Sequence, residues 1–347
     1  MKERKRVLHQ RAGKREGPQQ VTILGSDQLM KGSEGLLLAR ILNRSDSEKV
    51  SENAVLFTSL LANLTPGISE VNRRTGMRIG RHLYSIISEG KNYLLYEEPV
   101  NDLIKFFEHA GYTRVTYNVF PDRIDMQMYD KSKEFIGIDL HSFEAGLVSG
   151  FMTAAKRQYV NVTEHACSNN GSDRCMFSSR YDAYKEAVQR DAKAAIHRFI
   201  DHLVRQSERA ERAGEIRISP EYYHLSLSTV LERPYQEEIR HVAMYIGSQV
   251  GSRLFANRPK TGSKAAISRI ERLMRTLNLG KASVKSLNPV KIDISFDQLH
   301  SRSEFVELSL ALINGLLGNH AIEGARVSRE ARHGAYFVKI TGKAAAE

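Results

Sequence analysis

Residues 141–177 read HSFEAGLVSGFMTAAKRQYVNVTEHACSNNGSDRCMF, and they hold both cysteines of the protein, Cys167 and Cys175. Glu164, Cys167 and Cys175 follow one another at intervals of three and eight, and Asn169, Asn170, Gly171, Ser172 and Asp173 fill the gap between the thiols. Such consecutive turn formers reverse the chain: glycine accepts a left-handed backbone, and Asn, Asp and Ser side chains bind nearby amides. A strand over residues 159–164 and a returning strand over 174–178 are expected on either side. Two thiols and a carboxylate then converge at one end of a hairpin. Zinc takes that mixture in tetrahedral geometry with one further protein ligand. His141 is the nearest candidate, standing before Phe143, Gly146, Leu147, Gly150, Phe151 and Ala154, whose three-to-four spacing marks the buried face of a helix. The same residues admit a plainer account. The cysteines can be small buried side chains, Glu164 a solvated acid at a strand end, and His141 an exposed residue at a helix start. A disulfide is the remaining alternative, which a reducing compartment disfavours.

The block His141, Gly146, Gly150, Glu164, Cys167, Gly171, Cys175 and Phe177 resembles the 4-vinyl reductase domain, a small-molecule-binding module of archaeal hydrocarbon-binding proteins. It is also similar to the sensor domain of phenol-responsive bacterial transcription activators. In the zinc-bearing sensors of that family a cysteine stands where this chain has His141, and the glutamate and two cysteines follow at the intervals seen here. The resemblance implies a structural zinc on His141, Glu164, Cys167 and Cys175, with histidine replacing one cysteine as a ligand that zinc accepts equally well. It also implies an apolar or aromatic small molecule as ligand. The pocket is then sought between the helices and the meander of the same module, at Phe106, Phe107, Tyr117, Met126, Met128 and Phe151, residues that also suit an ordinary core.

Upstream of this block, residues 21–24 suit a short strand, 33–42 and 53–64 suit helices, and 43–53 a polar loop. Thr65, Pro66 and Gly67 are expected to stop the second helix. A helix is expected over 71–87, where Gly76 and Gly80 leave room for a close neighbour, and another over 99–110. In the latter Leu103, Ile104, Phe106 and Phe107 face inward and Gly111 forms the cap. Val115, Tyr117 and Val119 alternate on one strand and Ile124, Met126 and Met128 on its return, around a turn at Pro121, Asp122 and Arg123. Residues 135–138 suit a further strand. Helices, a meander, a helix and a closing hairpin make an α+β module.

Downstream, residues 181–213 form a charged helical stretch with Tyr184, Val188, Ile196, Phe199, Ile200, Leu203 and Val204 as its apolar stripe. It is read as a connector. The second half then echoes the first: Gly247, Gly251 and Leu254 align with Gly76, Gly80 and Leu83 at one constant offset. Residues 305–318 take the place of the helix after His141, and 326–340 that of the cysteine hairpin. This copy has no cysteine, and Val306 falls about where His141 would be. The fold class expected is therefore α+β. Two tandem, related modules each carry an antiparallel sheet packed against helices, with a long helix joining them. The divisions expected are a basic arm over 1–20, the metal-bearing module over 21–180, the connector over 181–214 and a metal-free module over 215–347. One copy holding the site leaves the other for packing, dimer-like pairing or a protein partner.

The chain has 347 residues and a net charge of +11, from 51 Lys and Arg against 40 Asp and Glu. Residues 1–17 carry Lys2, Arg4, Lys5, Arg6, Arg11, Lys14 and Arg15 against Glu3 and Glu16. A second basic zone includes Arg253, Arg258, Lys260, Lys264, Arg269, Arg272, Arg275 and Lys281 with Glu271 as its acid. Arg269, Arg272 and Arg275 share a helix face, which is either a solvated surface or a stripe for nucleic-acid phosphates. No apolar run approaches the roughly 20 residues of a membrane helix, and the first residues lack the apolar core of a signal peptide. A cytoplasmic location is expected.

No Gly-x-Ser-x-Gly elbow, phosphate loop, dinucleotide fingerprint or His-Glu-x-x-His pattern is present. A zinc saturated by four protein ligands has no open position for water, which disfavours hydrolysis there. Three functions remain. The first is a zinc-stabilised protein that binds or senses an apolar small molecule and acts through a partner. The second is a nucleic-acid-associated or scaffolding protein, a use that the resemblance to vesicle-tethering subunits also admits. The third, implied by the family's name, is reduction of a tetrapyrrole vinyl group, for which no redox cofactor site is visible.

Overall fold

The computed structural model describes residues 33–43, 50–64, 66–93, 95, 97–112, 114–120, 123–129, 134–179, 191–209, 215–216, 218–227, 235–255, 264–277, 281–287, 290–296, 303–318, 326–332 and 335–341. In chain order these form α1 (Ser33–Leu42), β1 (Val50–Ser51), α2 (Glu52–Asn63), α3 (Pro66–Ile87), α4 (Glu98–Ala110), β2 (Val115–Val119), β3 (Ile124–Met128), α5 (Ser142–Lys156), β4 (Thr163–Ala166) and β5 (Cys175–Ser178). Then come α6 (Ala192–Arg209), β6 (Glu215–Ile216), α7 (Pro220–Leu227), α8 (Gln236–Phe255), α9 (Lys264–Thr276), β7 (Lys281–Leu287), β8 (Val290–Phe296), α10 (Ser303–Gly318), β9 (Arg326–Arg332) and β10 (Ala335–Thr341). The class is α+β, with antiparallel sheets packed against helices.

The chain divides into two compact units that are discontinuous in sequence. One takes Met1–Lys49, Ala62–Asp191 and Arg217–Thr229; the other takes Val50–Leu61, Ala192–Ile216 and Val230–Glu347. The divisions therefore do not fall at 180 and 214. Most of α2 leaves the first half for the second unit, and α7 belongs to the first. Of the stretch expected as a connector, α6 is described, and it is part of the second unit's core: Phe199 stacks on Phe57 of α2 with ring centroids 5.9 Å apart. Residues 180–190 lie outside the described residues, as do the arm and the strand expected over 21–24.

In the first unit the sheet order is β2-β3-β5-β4. Register aligns Val115, Met128 and Cys175 across one face, and Tyr117, Met126 and Phe177 beside them. Alternation along β3 buries Ile124, Met126 and Met128, as the period-two pattern requires. Gly111 caps α4 with φ 107°, and Leu103, Phe106 and Phe107 are buried while Ile104 is only half-buried. Helix α2 ends at Asn63, as the stop at Thr65, Pro66 and Gly67 requires, and Pro66 also opens α3, where its missing N–H costs no hydrogen bond, so that α3 begins before the expected residue 71.

Two other expectations are corrected by hydrogen bonding. Residues 135–138 form no strand: the Ile136 and Gly137 amides both donate to the Asn169 carbonyl, at 2.8 and 2.9 Å. Strand β4 begins at Thr163 rather than 159, because the Val160 amide donates to Thr153 Oγ1 and the Val162 amide to Ser149 Oγ. Those residues are tied to α5 instead of to a sheet.

Helices α3 and α5 meet backbone to backbone. A Cβ built on Gly76 would stand 2.2 Å from the Phe143 carbonyl oxygen, and one on Gly150 would stand 1.9 Å from that of Met77. In the second unit the sheet order is β7-β8-β10-β9, and α8 meets α10 in the same manner, Gly247 against Leu312 O and Gly315 against Met244 O. Gly315 thus plays towards Met244 the part that Gly146 plays towards Arg73. Counted from these glycines, the residue corresponding to His141 is Leu310, which is buried inside α10, and not Val306.

Candidate metal centre

The turn between the cysteines is built as the sequence prescribes. The Asn170 and Ser172 amides donate to the Cys167 carbonyl at 3.0 and 3.1 Å, Ser168–Asn170 forms a single 3-10 turn, and Gly171 takes φ 92°. That left-handed backbone is open to glycine at no steric cost. Cys175 opens β5 on the sheet's inner face, and the bulge between Glu164 and Ala166 in β4 turns Cys167 towards it. His141 arrives from the other side as the residue before α5, its carbonyl accepting the first helical bond from the Ala145 amide.

The four donors converge. His141 Nδ1 lies 2.9 Å from Glu164 Oε1 and 3.5 Å from Cys167 Sγ, and one ligand atom from each of His141, Glu164, Cys167 and Cys175 lies within 4.8 Å of all the others. Tetrahedral bonds of about 2.0–2.3 Å place ligand atoms about 3.3–3.8 Å apart, so the widest pairs would close by up to about 1 Å while the His141–Glu164 pair opens slightly. The site is buried: Cys175 is 0% exposed and Cys167 1%, and the Glu164 side chain is 6% exposed.

Electrostatics favours a cation here. Burial pushes the Glu164 carboxyl up to about 7, against the opposing pull of His141. The hydrogen bond to Cys175 holds the Cys167 thiol well above its ordinary value, and the same bond holds Cys175 below its own. A divalent ion relieves this crowding by taking carboxylate and thiolates as ligands in place of protons. Support is already arranged around the sulfurs. Ser168 approaches Cys175 Sγ with its amide at 3.4 Å and its hydroxyl at 3.2 Å, and Phe177 meets the His141 ring edge-on at 6.2 Å. The group can hold a metal ion, and its four protein donors leave no ligand position vacant on a tetrahedral one.

The residues sought for a small-molecule pocket fall into separate groups. Tyr117, Met126 and Met128 share the inner face of the sheet, and the Tyr117 hydroxyl donates to Asn101 Oδ1 at 2.7 Å. Phe106 and Phe107 are buried against Tyr222, whereas Phe151 meets Tyr84 edge-on at 5.3 Å.

Of the polyanion candidates, Lys2, Arg4, Lys5 and Arg6 lie outside the described residues. Arg269 and Arg272 each place one guanidinium nitrogen against a helix end. Arg269 Nη1 donates to the Leu254 carbonyl at 2.8 Å and Arg272 Nη1 to the Ser207 carbonyl at 3.0 Å, at the last turns of α8 and α6. Carbonyls there have no helical partner and carry the negative end of the helix dipole, which explains the cations. Arg275 is exposed. Replacing Arg272 with alanine should therefore cost about 1–2 kcal/mol of stability in urea denaturation.

Sequence reasoning missed Ser168, whose amide and hydroxyl both reach a sulfur, because a serine in a turn looks like any turn former. It also missed Glu144, Tyr112 and Tyr222, which meet from three separate parts of the chain. No family model matches the chain, no curated protein matches it, and no solved structure matches it.

Proposed function

We propose that the chain is a zinc-stabilised module that binds or senses an apolar small molecule and acts through a protein partner. The observation that carries the first half is the closed set of His141, Glu164, Cys167 and Cys175, buried and within 4.8 Å of one another. Two sulfurs with nitrogen and oxygen are the donors zinc tolerates in one tetrahedron, and saturation assigns the ion a structural task. It pins the β4–β5 hairpin to the start of α5. Support for the second half is the resemblance of residues 141–177 to the 4-vinyl reductase domain. The shared strand order of the two four-stranded sheets, and their paired glycine-packed helices, support reading the second unit as a metal-free copy of the first.

Native mass spectrometry of the purified protein tests the ligand. The expected spectrum shows, beside the ion, a further adduct of small-molecule mass that is lost on mild activation. A chain that carries only the ion, and takes up no phenol or hydrocarbon when these are added, would remove the ligand reading. The nucleic-acid reading rests on the charge of +11 and on the basic arm. Its test is a titration of duplex DNA at two salt concentrations, where affinity must fall with a log-log slope near −0.9 per phosphate neutralised. Deleting residues 1–17 should reduce that slope, and absence of binding at low salt removes the reading.

A further inference from the structure

The first turn of α5 is held from both sides by buried polar groups that do not touch the candidate ion site themselves. Ser142 Oγ donates to Asn63 Oδ1 at 2.5 Å and accepts from Asn72 Nδ2 at 2.9 Å, while Asn63 Nδ2 donates to the Leu140 carbonyl at 2.9 Å. These bonds fix the neighbours of His141 on either side. Two residues after Ser142, in the same turn, Glu144 Oε1 accepts the Tyr112 hydroxyl at 2.9 Å and the Tyr222 hydroxyl at 3.1 Å. Tyr222 comes from α7, which follows the first unit's sheet by more than 40 residues of chain, from Ser178 to Pro220. It is 1% exposed, and its ring lies 5.7–6.4 Å from those of Tyr112, Phe106, Phe143 and Phe107. The main chain of α7 is fastened too, with the Ser219 amide donating to the Ala110 carbonyl at 2.8 Å.

His141 is the residue from which this turn starts, so the backbone of the turn sets where its ring is anchored, while the ring itself is bonded to Glu164 Oε1 at 2.9 Å. A tetrahedral ion tolerates little error in that placement, and outer partners of metal ligands commonly matter by about 10–100-fold in affinity. We infer that Tyr112 and Tyr222 are positioning residues for the metal centre, holding Glu144 and through it the first turn of α5 and His141. Docking of α7 and binding of the ion are thereby coupled. The inference rests on the reading that an ion binds at His141, Glu164, Cys167 and Cys175. Without the two hydroxyls a buried carboxylate loses two hydrogen-bond donors, and the turn shifts to regain them from water. Coupling is reciprocal, so the ion in turn favours the docked helix.

The test measures Zn2+ affinity of the full chain by competition with a chromophoric chelator, and Co2+ ligand-field spectra as a readout of site geometry. Tyr112→Phe/Tyr222→Phe keeps the rings and removes the hydroxyls. It should still take one ion per chain, about tenfold more weakly, with an altered Co2+ spectrum. Glu144→Gln, which keeps an acceptor oxygen, should retain most of the affinity that Glu144→Ala loses. In the wild-type chain, Zn2+ should slow hydrogen exchange at the Tyr222 and Tyr223 amides, a measurement that decides the matter even where a variant does not fold. Unchanged affinity and spectrum in the folded double variant, or exchange in α7 indifferent to the ion, would overturn the coupling alone. Failure of the wild-type chain to take up Zn2+ or Co2+ would overturn the metal reading, and the coupling with it.

Discussion

Alanine at Gly150 is expected to lower the melting temperature by about 6–12 °C, with an unchanged dependence of stability on denaturant at the new midpoint. The added Cβ would stand 1.9 Å from the Met77 carbonyl oxygen and 2.6 Å from its carbon, where ordinary contact begins near 3.4 Å. Neither atom can rotate away, because both are helix backbone. Helices α3 and α5 would have to separate by more than 1 Å, and Gly76, Gly80 and Gly146 make equally close approaches along the same contact. Overpacking of this kind costs about 3 kcal/mol at the upper end of its usual range, a large part of the roughly 5–15 kcal/mol that holds a domain folded. Gly67 supplies the control. It sits in the first turn of α3 with nothing within 4 Å of a built Cβ, so alanine there should leave stability equal or raise it by about 0.4–1 kcal/mol.

Stripping the ion is expected to lower the melting temperature by about 10 °C. Binding to the folded state alone stabilises by about 4 kcal/mol when free metal is a thousandfold above its dissociation constant, and each kcal/mol moves the midpoint by about 2–4 °C in a chain of a few hundred residues. A chelator should therefore bring the wild-type midpoint down to that of Cys175→Ala, and should leave the variant where it is. Apart from the ion, the variant loses only a small buried side chain and its contacts with Ser168, so the chelator's effect on the wild-type chain alone measures the ion. Equal midpoints for the wild-type chain with and without chelator would remove the stabilising role.

Much of this was legible because the relevant signals are local. The turn formers from Asn169 to Asp173 place two thiols and a carboxylate together within a dozen residues, and no long-range knowledge is needed to foresee their meeting. The close approach at Gly76 and Gly80 was visible from their spacing on an otherwise well-patterned helix. What escaped was decided by partners distant in sequence. Nothing in residues 159–162 reveals that their amides will bind Ser149 and Thr153 of the preceding helix. The apolar and β-branched character of that run suits a strand equally well, and the hydrogen bonds decide otherwise. Arg269 and Arg272 looked like a cationic stripe because helical spacing reports a face but not what lies against it; the ends of α6 and α8 lie there. The division into units was likewise hidden, since α2 and α7 each belong to the unit that their place in the chain does not suggest.

The zinc proposed on His141, Glu164, Cys167 and Cys175 is open to direct measurement. Elemental analysis of the purified chain, beside Cys167→Ala/Cys175→Ala prepared in parallel, tests it most directly. One zinc per wild-type chain is expected, and none held by the double variant. A wild-type chain without stoichiometric metal, or a double variant that retains the same amount, would contradict it.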